Sequence, residues 1–129
     1  MKTPPPLGKK IAKTLIAIVA SVTLLFAVAA CSTTDKIDMS KVSTVIDVRT
    51  PDEFAAGHLQ GAINIDVESA DFEGQVSSLD TAGVYVLYCH SGRRAGIALD
   101  TMKGLGFTNL TNAGGIDEAS ASTGLAIVQ

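Results

Sequence analysis

Apolar residues fall in two kinds of run along the chain. One is long: Leu15 to Ala30 spans 16 residues, of which only Ser21 and Thr23 are not apolar. The others are short and separated by polar segments. Thr44-Val45-Ile46-Asp47-Val48 and Ala62-Ile63-Asn64-Ile65 each read as a short strand, and Val84-Tyr85-Val86-Leu87-Tyr88, set off by Gly83, is the strongest strand signal. Phe107 to Leu110 is a weaker one. Helical spacing fills the gaps. Thr50-Pro51-Asp52-Glu53 supplies an N-cap, a proline at the first helical position and a capping-box glutamate, predicting a helix through Phe54-Ala55-Ala56 that stops at Gly57. Glu68 to Leu79 is predicted as a helix with Phe72, Val76 and Leu79 on one face. Arg93 to Leu105 is another, with Ala95, Ala98, Leu99, Met102 and Leu105 forming its apolar face and Gly106 ending it. Gly114-Gly115 leads into a short helix around Ile116 to Ala121. Strands alternating with helices predict an α/β fold: a small parallel sheet flanked by helices on both faces, with right-handed crossovers. Ligands of such sheets bind beyond the carboxyl ends of the strands, where Cys89 falls.

The long apolar run is short for a bilayer span, which needs about 20 residues. It follows a basic stretch, Met1 to Lys13, and together they have the charged and apolar regions of a secretory signal. The run ends in Val28-Ala29-Ala30-Cys31, which resembles the bacterial lipobox, with Val28 where leucine is commonest. That resemblance implies acylation of Cys31 and a mature chain beginning there, held to a membrane surface. A plain signal peptide or an uncleaved anchor is the alternative. Ser32 to Lys41 is polar and reads as a tether. The expected organisation is therefore a lipoprotein signal peptide at 1–30, a lipid-anchored N-terminus and linker at 31–43, and one domain at 44–129. The expected location is the bacterial cell envelope, outside the cytoplasm.

Charge sharpens the picture once the leader is set aside. The whole chain of 129 residues has a net charge of −3, but the first 30 residues hold four lysines and no acid. The remaining 99 residues carry six basic and 13 acidic side chains, a net −7. A domain this acidic is a poor partner for nucleic acid. With Cys31 acylated, Cys89 is the one free thiol of the mature chain, and no internal disulfide is possible.

Cys89-His90-Ser91-Gly92-Arg93-Arg94 joins the best strand to a helix. A tight loop at that junction turns several backbone N–H groups inward, and the helix N-terminus adds its partial positive charge. Gly92 widens the conformations open to the loop, while Arg93 and Arg94 bring two cations. All three favour the thiolate at Cys89 and lower its pKa, making it a nucleophile within an anion-binding ring. A buried, inert cysteine is the alternative. No zinc ligand set accompanies it: two histidines and one cysteine lie near the site.

At these residues the chain resembles the rhodanese family, specifically its single-domain exported members. One family motif reads Ile46-Asp47-Val48-Arg49, then Glu53-Phe54 and Gly57-His58-Leu59 through Gly61-Ala62-Ile63-Asn64-Ile65. The active-site motif reads Tyr88-Cys89-His90-Ser91-Gly92-Arg93-Arg94-Ala95, and the Gly104-Leu105-Gly106-Phe107 and Gly114-Gly115 turns also match. The resemblance implies a sulfurtransferase. Cys89 takes the outer sulfur of a small anionic donor such as thiosulfate, holds it as a persulfide cradled by the amides of His90 to Arg94, and passes it to a thiol or cyanide. No metal or organic cofactor is implied. Arg93 is the candidate for attracting anions, and Arg94 either joins it or turns toward structure. His90 either meets substrate or faces solvent. Asp47 and Arg49 are read as an ion pair or hydrogen-bond network near the strand end, with substrate contact as the alternative, and His58 as a structural hydrogen-bonder. Tyr85 is expected in the core. Two rival functions stand beside this one. A phosphatase of related fold resembles a cysteine and arginine enclosing five residues, whereas Cys89 and Arg94 enclose four. A membrane-tethered module could carry persulfide sulfur, or sense anions, without useful turnover. The chain departs from the family in its short stretch before Ile46, in Ile116-Asp117 where an aromatic is common, and in a brief end from Thr123 to Gln129. These departures predict a thinly covered edge strand.

Overall fold

A computed structural model describes residues 34–129. The expected leader and Cys31 lie outside them. In chain order the elements are β1 (Thr44–Asp47), α1 (Pro51–Ala56), β2 (His58–Leu59), β3 (Ile63–Asn64), α2 (Phe72–Val76), β4 (Val84–Cys89), α3 (Arg93–Gly104), β5 (Asn109–Gly115), α4 (Ile116–Thr123) and β6 (Ile127–Val128). The sheet has the order β3-β1-β4-β5 and every neighbouring pair is parallel. Its register sets Ile46 beside both Ile63 and Leu87, which carries the ends of β1 and β4 to one edge.

Strand alternation divides the core in two. Tyr85, Leu87 and Cys89 of β4 point to one face, where Ile46, Val48, Phe72, Val76, Ala95, Ala98, Met102 and Phe107 join them. Val86 and Tyr88 point to the other, where they meet Val45, Leu59 and Ala119. Helices α2 and α3 cover the first face. Helix α4 covers the second with the antiparallel pair β2–β6, so the predicted two-sided cover is present. The last strand was not anticipated: Ile127 and Val128 are too short a run to register as a strand without their partners His58 and Leu59.

Local chemistry explains the element ends. Thr50 accepts from the Glu53 amide, and Glu53 in turn accepts from the Thr50 amide, so the predicted capping box starts α1. The helix predicted over Glu68 to Leu79 contracts to Phe72–Val76. Hydrogen bonds from Phe72 N to Ser69 O, and from Leu79 N to Val76 O, close tight turns on either side. Ser77 and Ser78 also donate their hydroxyls to the Glu73 and Gln75 carbonyls, competing with helix continuation. Phe72 and Val76 are buried, and Leu79 packs on the same core. In α3 the buried face is Ala95, Ala98 and Met102, while Leu105 caps the helix and is exposed. The strand predicted at Phe107 to Leu110 begins two residues later. Phe107 instead docks edge-on against Tyr85, with ring centroids 5.6 Å apart, and the Tyr85 hydroxyl donates to the Asp80 carbonyl.

Residues 34–43 contain one 3-10 turn, Met39–Lys41, capped by Asp38. The Ile37 amide donates to the Ser122 carbonyl at 2.8 Å, and Ile37, Met39 and Val42 pack on the second core. Domain packing therefore begins at Ile37, before the expected boundary at Thr44. Among the described residues β5 pairs on one side only, with β4.

Candidate active site

Cys89 is the last residue of β4, where the register with β5 shifts between Leu87 and Cys89. The chain then turns through His90, Ser91 and Gly92 into α3. Gly92 is the N-cap of α3 and has φ +92°, a conformation that L side chains avoid. It brings its amide 2.9 Å from Cys89 Sγ. Burial opposes ionisation of this thiol, which has 0% of its surface exposed. The amides of Ala95, Ser91, Gly92 and Arg94 outweigh burial, and the thiol pKa lies below its ordinary value. The donors thus run one residue further into α3 than the cradle expected from His90 to Arg94. His90 is exposed on the loop.

The two arginines have separate fates. Arg93 is exposed, and no ion pair joins it to another described residue. Arg94 turns toward structure: its guanidinium grips Glu53 with Nη1 at 2.7 Å from Oε2 and Nη2 at 2.9 Å from Oε1. This pairing leads the causes that hold the Glu53 carboxyl down at about 2 and raise the Arg94 pKa. The electrostatic help expected from two guanidinium groups therefore narrows to Arg94, which acts on Cys89 across space while paired with Glu53.

The back of the loop is held by Asn112, which the sequence did not single out, and by the Gly114-Gly115 turn. Asn112 Nδ2 donates to the Gly92 carbonyl and Asn112 Oδ1 accepts from the Gly114 amide, both at 2.9 Å. A Cβ placed on Gly115 would stand 2.5 Å from the His90 carbonyl oxygen. The matched Gly114-Gly115 pair is thus where β5 passes directly behind the loop. A lone asparagine in a strand gives no sequence signal for such a clamp. A groove of about 790 Å³ opens beside it, lined by Ser91, Gly92, Asn112, Lys36 and Glu118 among others.

Asp47 and Arg49 form the expected ion pair on the opposite face, both buried, with Nη2 to Oδ2 at 2.7 Å. Asp47 also accepts from the Arg49 amide, and Arg49 donates to the Gly57 carbonyl at 2.6 Å. Asn64 donates to the carbonyls of both residues, tying β3 to this network. His58 lies 2.9 Å from the Phe54 carbonyl through Nδ1 and stacks on the Phe54 ring at 3.8 Å. The hydrogen bonds of these side chains go to partners outside the Cys89 loop, and Arg49 lies over the Tyr88 ring, 5.7 Å from its centroid. Among the described residues no cluster of three or more His, Cys, Asp or Glu side chains suits a metal ion.

The rhodanese-like domain family model matches residues 32–122. The chain belongs to the rhodanese-like family. It is 34% identical over 73 residues to the thiosulfate sulfurtransferase PspE of Escherichia coli, covering 57% of this chain and 70% of that one. It is 31% identical over 77 residues to the putative sulfur carrier protein YrkF of Bacillus subtilis, covering 60% of this chain but only 40% of YrkF. Among solved structures, a rhodanese with anions from E. coli superposes with a TM-score of 0.56 at 30% identity, over 67% of this chain and 96% of that one. A rhodanese-related protein from Thermoplasma volcanium gives 0.58 at 25% identity, over 73% and 97%. In this rhodanese-like domain, then, the cysteine loop sits at the carboxyl end of an inner strand, where α/β folds present their sites.

Proposed function

We propose that this domain is a thiosulfate sulfurtransferase working through a Cys89 persulfide. The observation that carries the reading is the ring of amides aimed at the buried Cys89 sulfur. The Cys89 thiolate attacks the outer sulfur of thiosulfate; a new S–S bond forms as the old one breaks, and sulfite leaves with the bonding pair. The terminal persulfide sulfur then carries the negative charge, and the same amides solvate it. A thiolate or cyanide attacks that sulfur, forming a persulfide or thiocyanate and returning Cys89 as thiolate. Arg93, exposed and unpaired with any described residue, draws the donor anion toward the loop. His90 and Ser91 line the approach, and Asp47, Arg49 and His58 hold the scaffold. The similarity to PspE supports turnover as well as capture.

The experiment is intact mass after thiosulfate treatment, followed by cyanide. A gain of about 32 mass units that cyanide removes as thiocyanate is expected, and Cys89→Ser should show neither the gain nor turnover. Wild-type protein that gains no mass would refute the reading. The second reading, a persulfide carrier without useful turnover, is favoured by the similarity to YrkF. It predicts the mass gain with no thiocyanate. We further propose that lipid on Cys31 holds the domain to the envelope membrane, on the strength of the Val28-Ala29-Ala30-Cys31 pattern. Cys31→Ala should move the protein to the soluble fraction, and sedimentation with membranes would overturn that placement.

A further inference from the structure

Helix α3 begins without a side-chain cap. Its N-cap is Gly92, whose amide lies 2.9 Å from Cys89 Sγ, and the amides of Arg94 and Ala95 act on the same sulfur instead of on a capping oxygen. Something else must fix that first turn. Asn112 secures one side through the Gly92 carbonyl. On the other side stands Glu53, in the first turn of α1. Its carboxylate is itself immobilised, because Oε2 accepts from both the amide and the hydroxyl of Thr50 at 3.0 Å. Arg94 then grips the same carboxylate by two bonds, one to each oxygen. Arg94 and its neighbour Ala95 are among the residues whose amides face the sulfur.

We infer that Glu53 is a positioning residue for the Cys89 thiolate: through its two-pronged bond to Arg94 it holds the first turn of α3 where the amides converge on sulfur. The sequence shows Glu53 as a helix cap and as part of the family motif, with nothing to link it to Arg94. In the fold it performs both tasks, since the oxygen that receives Thr50 also receives Arg94. Sign separates this role from the simpler ones. The charged groups around Arg94 are Glu53 and, further off, Glu68, with Cys89 itself on the loop side. If Glu53 acted only by its charge, removing it would leave a bare guanidinium near the thiolate and ease ionisation. If it were only the cap of α1, ionisation would not change. Loss of positioning makes ionisation harder.

The test uses the full chain and Glu53→Gln, whose amide oxygen still accepts from Thr50. The pH midpoint of Cys89 alkylation by iodoacetamide should rise by about one unit. Thiosulfate kcat should fall about tenfold, with KM changed less than about threefold. Arg94→Lys keeps the charge but not the fork, and should raise the midpoint in the same direction. A midpoint that falls or stays put in either variant overturns the inference, and Arg94→Lys alone decides if Glu53→Gln does not fold. The inference rests on the sulfurtransferase reading only in its kinetic arm. A shifted midpoint in a protein without turnover would sink that reading and leave the positioning role standing.

Discussion

Gly115→Ala isolates the close approach of β5 to the cysteine loop. Gly115 has φ −77° and ψ 168°, so alanine meets no conformational penalty there. The added Cβ would lie 2.5 Å from the His90 carbonyl oxygen, where real contacts essentially never fall below 3.0 Å. The obstacle is backbone and cannot rotate away, so the loop or the end of β5 must retreat by about half an ångström in a close-packed interior. Overpacking of this kind costs about 1–3 kcal/mol. The smaller freedom of alanine in the unfolded chain returns about 0.4–1 kcal/mol. The net is a loss centred on about 1 kcal/mol and at most about 2.6, and a domain of this size loses about 4–8 °C in Tm for each kcal/mol. Activity should fall further than stability, because the displaced peptide carries the Ser91 amide, one of the donors that hold sulfur, and misplacement on this scale costs about 10- to 100-fold. The assays are thermal unfolding by circular dichroism and thiocyanate formation at saturating thiosulfate. Gly104→Ala is the control: nothing lies within 4 Å of its Cβ position, it is helical, and it should melt no lower than wild type. A Gly115→Ala protein with wild-type Tm and turnover within about twofold would refute the claim that β5 braces the loop.

Three further outcomes follow from the same geometry. Arg93→Ala should raise the thiosulfate KM with a smaller change in kcat, and an unchanged KM would remove Arg93 from donor capture. Arg49→Met should cost about 3–5 kcal/mol by stranding the buried Asp47 carboxylate, whereas Asp47→Leu with Arg49→Met should cost less than the single change; denaturant unfolding of the three proteins checks the order. The Glu53 carboxyl sits at about 2 in the fold against an ordinary 4.5, so its stabilising contribution is complete above the ordinary value and is lost as pH falls toward 2. The Tm gap between wild type and Glu53→Gln should therefore narrow over that window, and a constant gap would contradict the assignment.

The parts legible in sequence are those governed by neighbours in the chain. The capping box of α1, the strand ending at Cys89, the glycine turn into α3 and the Asp47–Arg49 pair are all local patterns. What sequence did not reveal depends on distant contacts. Glu53 and Arg94 are 41 residues apart, and the Asn112 amide reaches back 20 residues to Gly92. Strand β6 exists because His58 and Leu59 give it hydrogen-bonding partners. The Phe72 helix fell short of its predicted length for a local reason that period alone misses. Ser69, Ser77 and Ser78 bond the backbone in ways that favour turns.

Cys89 offers no surface of its own to the solvent. A bulky oxidant cannot collide with such a sulfur until the loop breathes open, whereas a slender anion needs only a small excursion. The survival of the reduced thiol would then depend on loop opening as well as on ambient chemistry. The packing of β5 behind that loop becomes a kinetic shield against loss of the nucleophile.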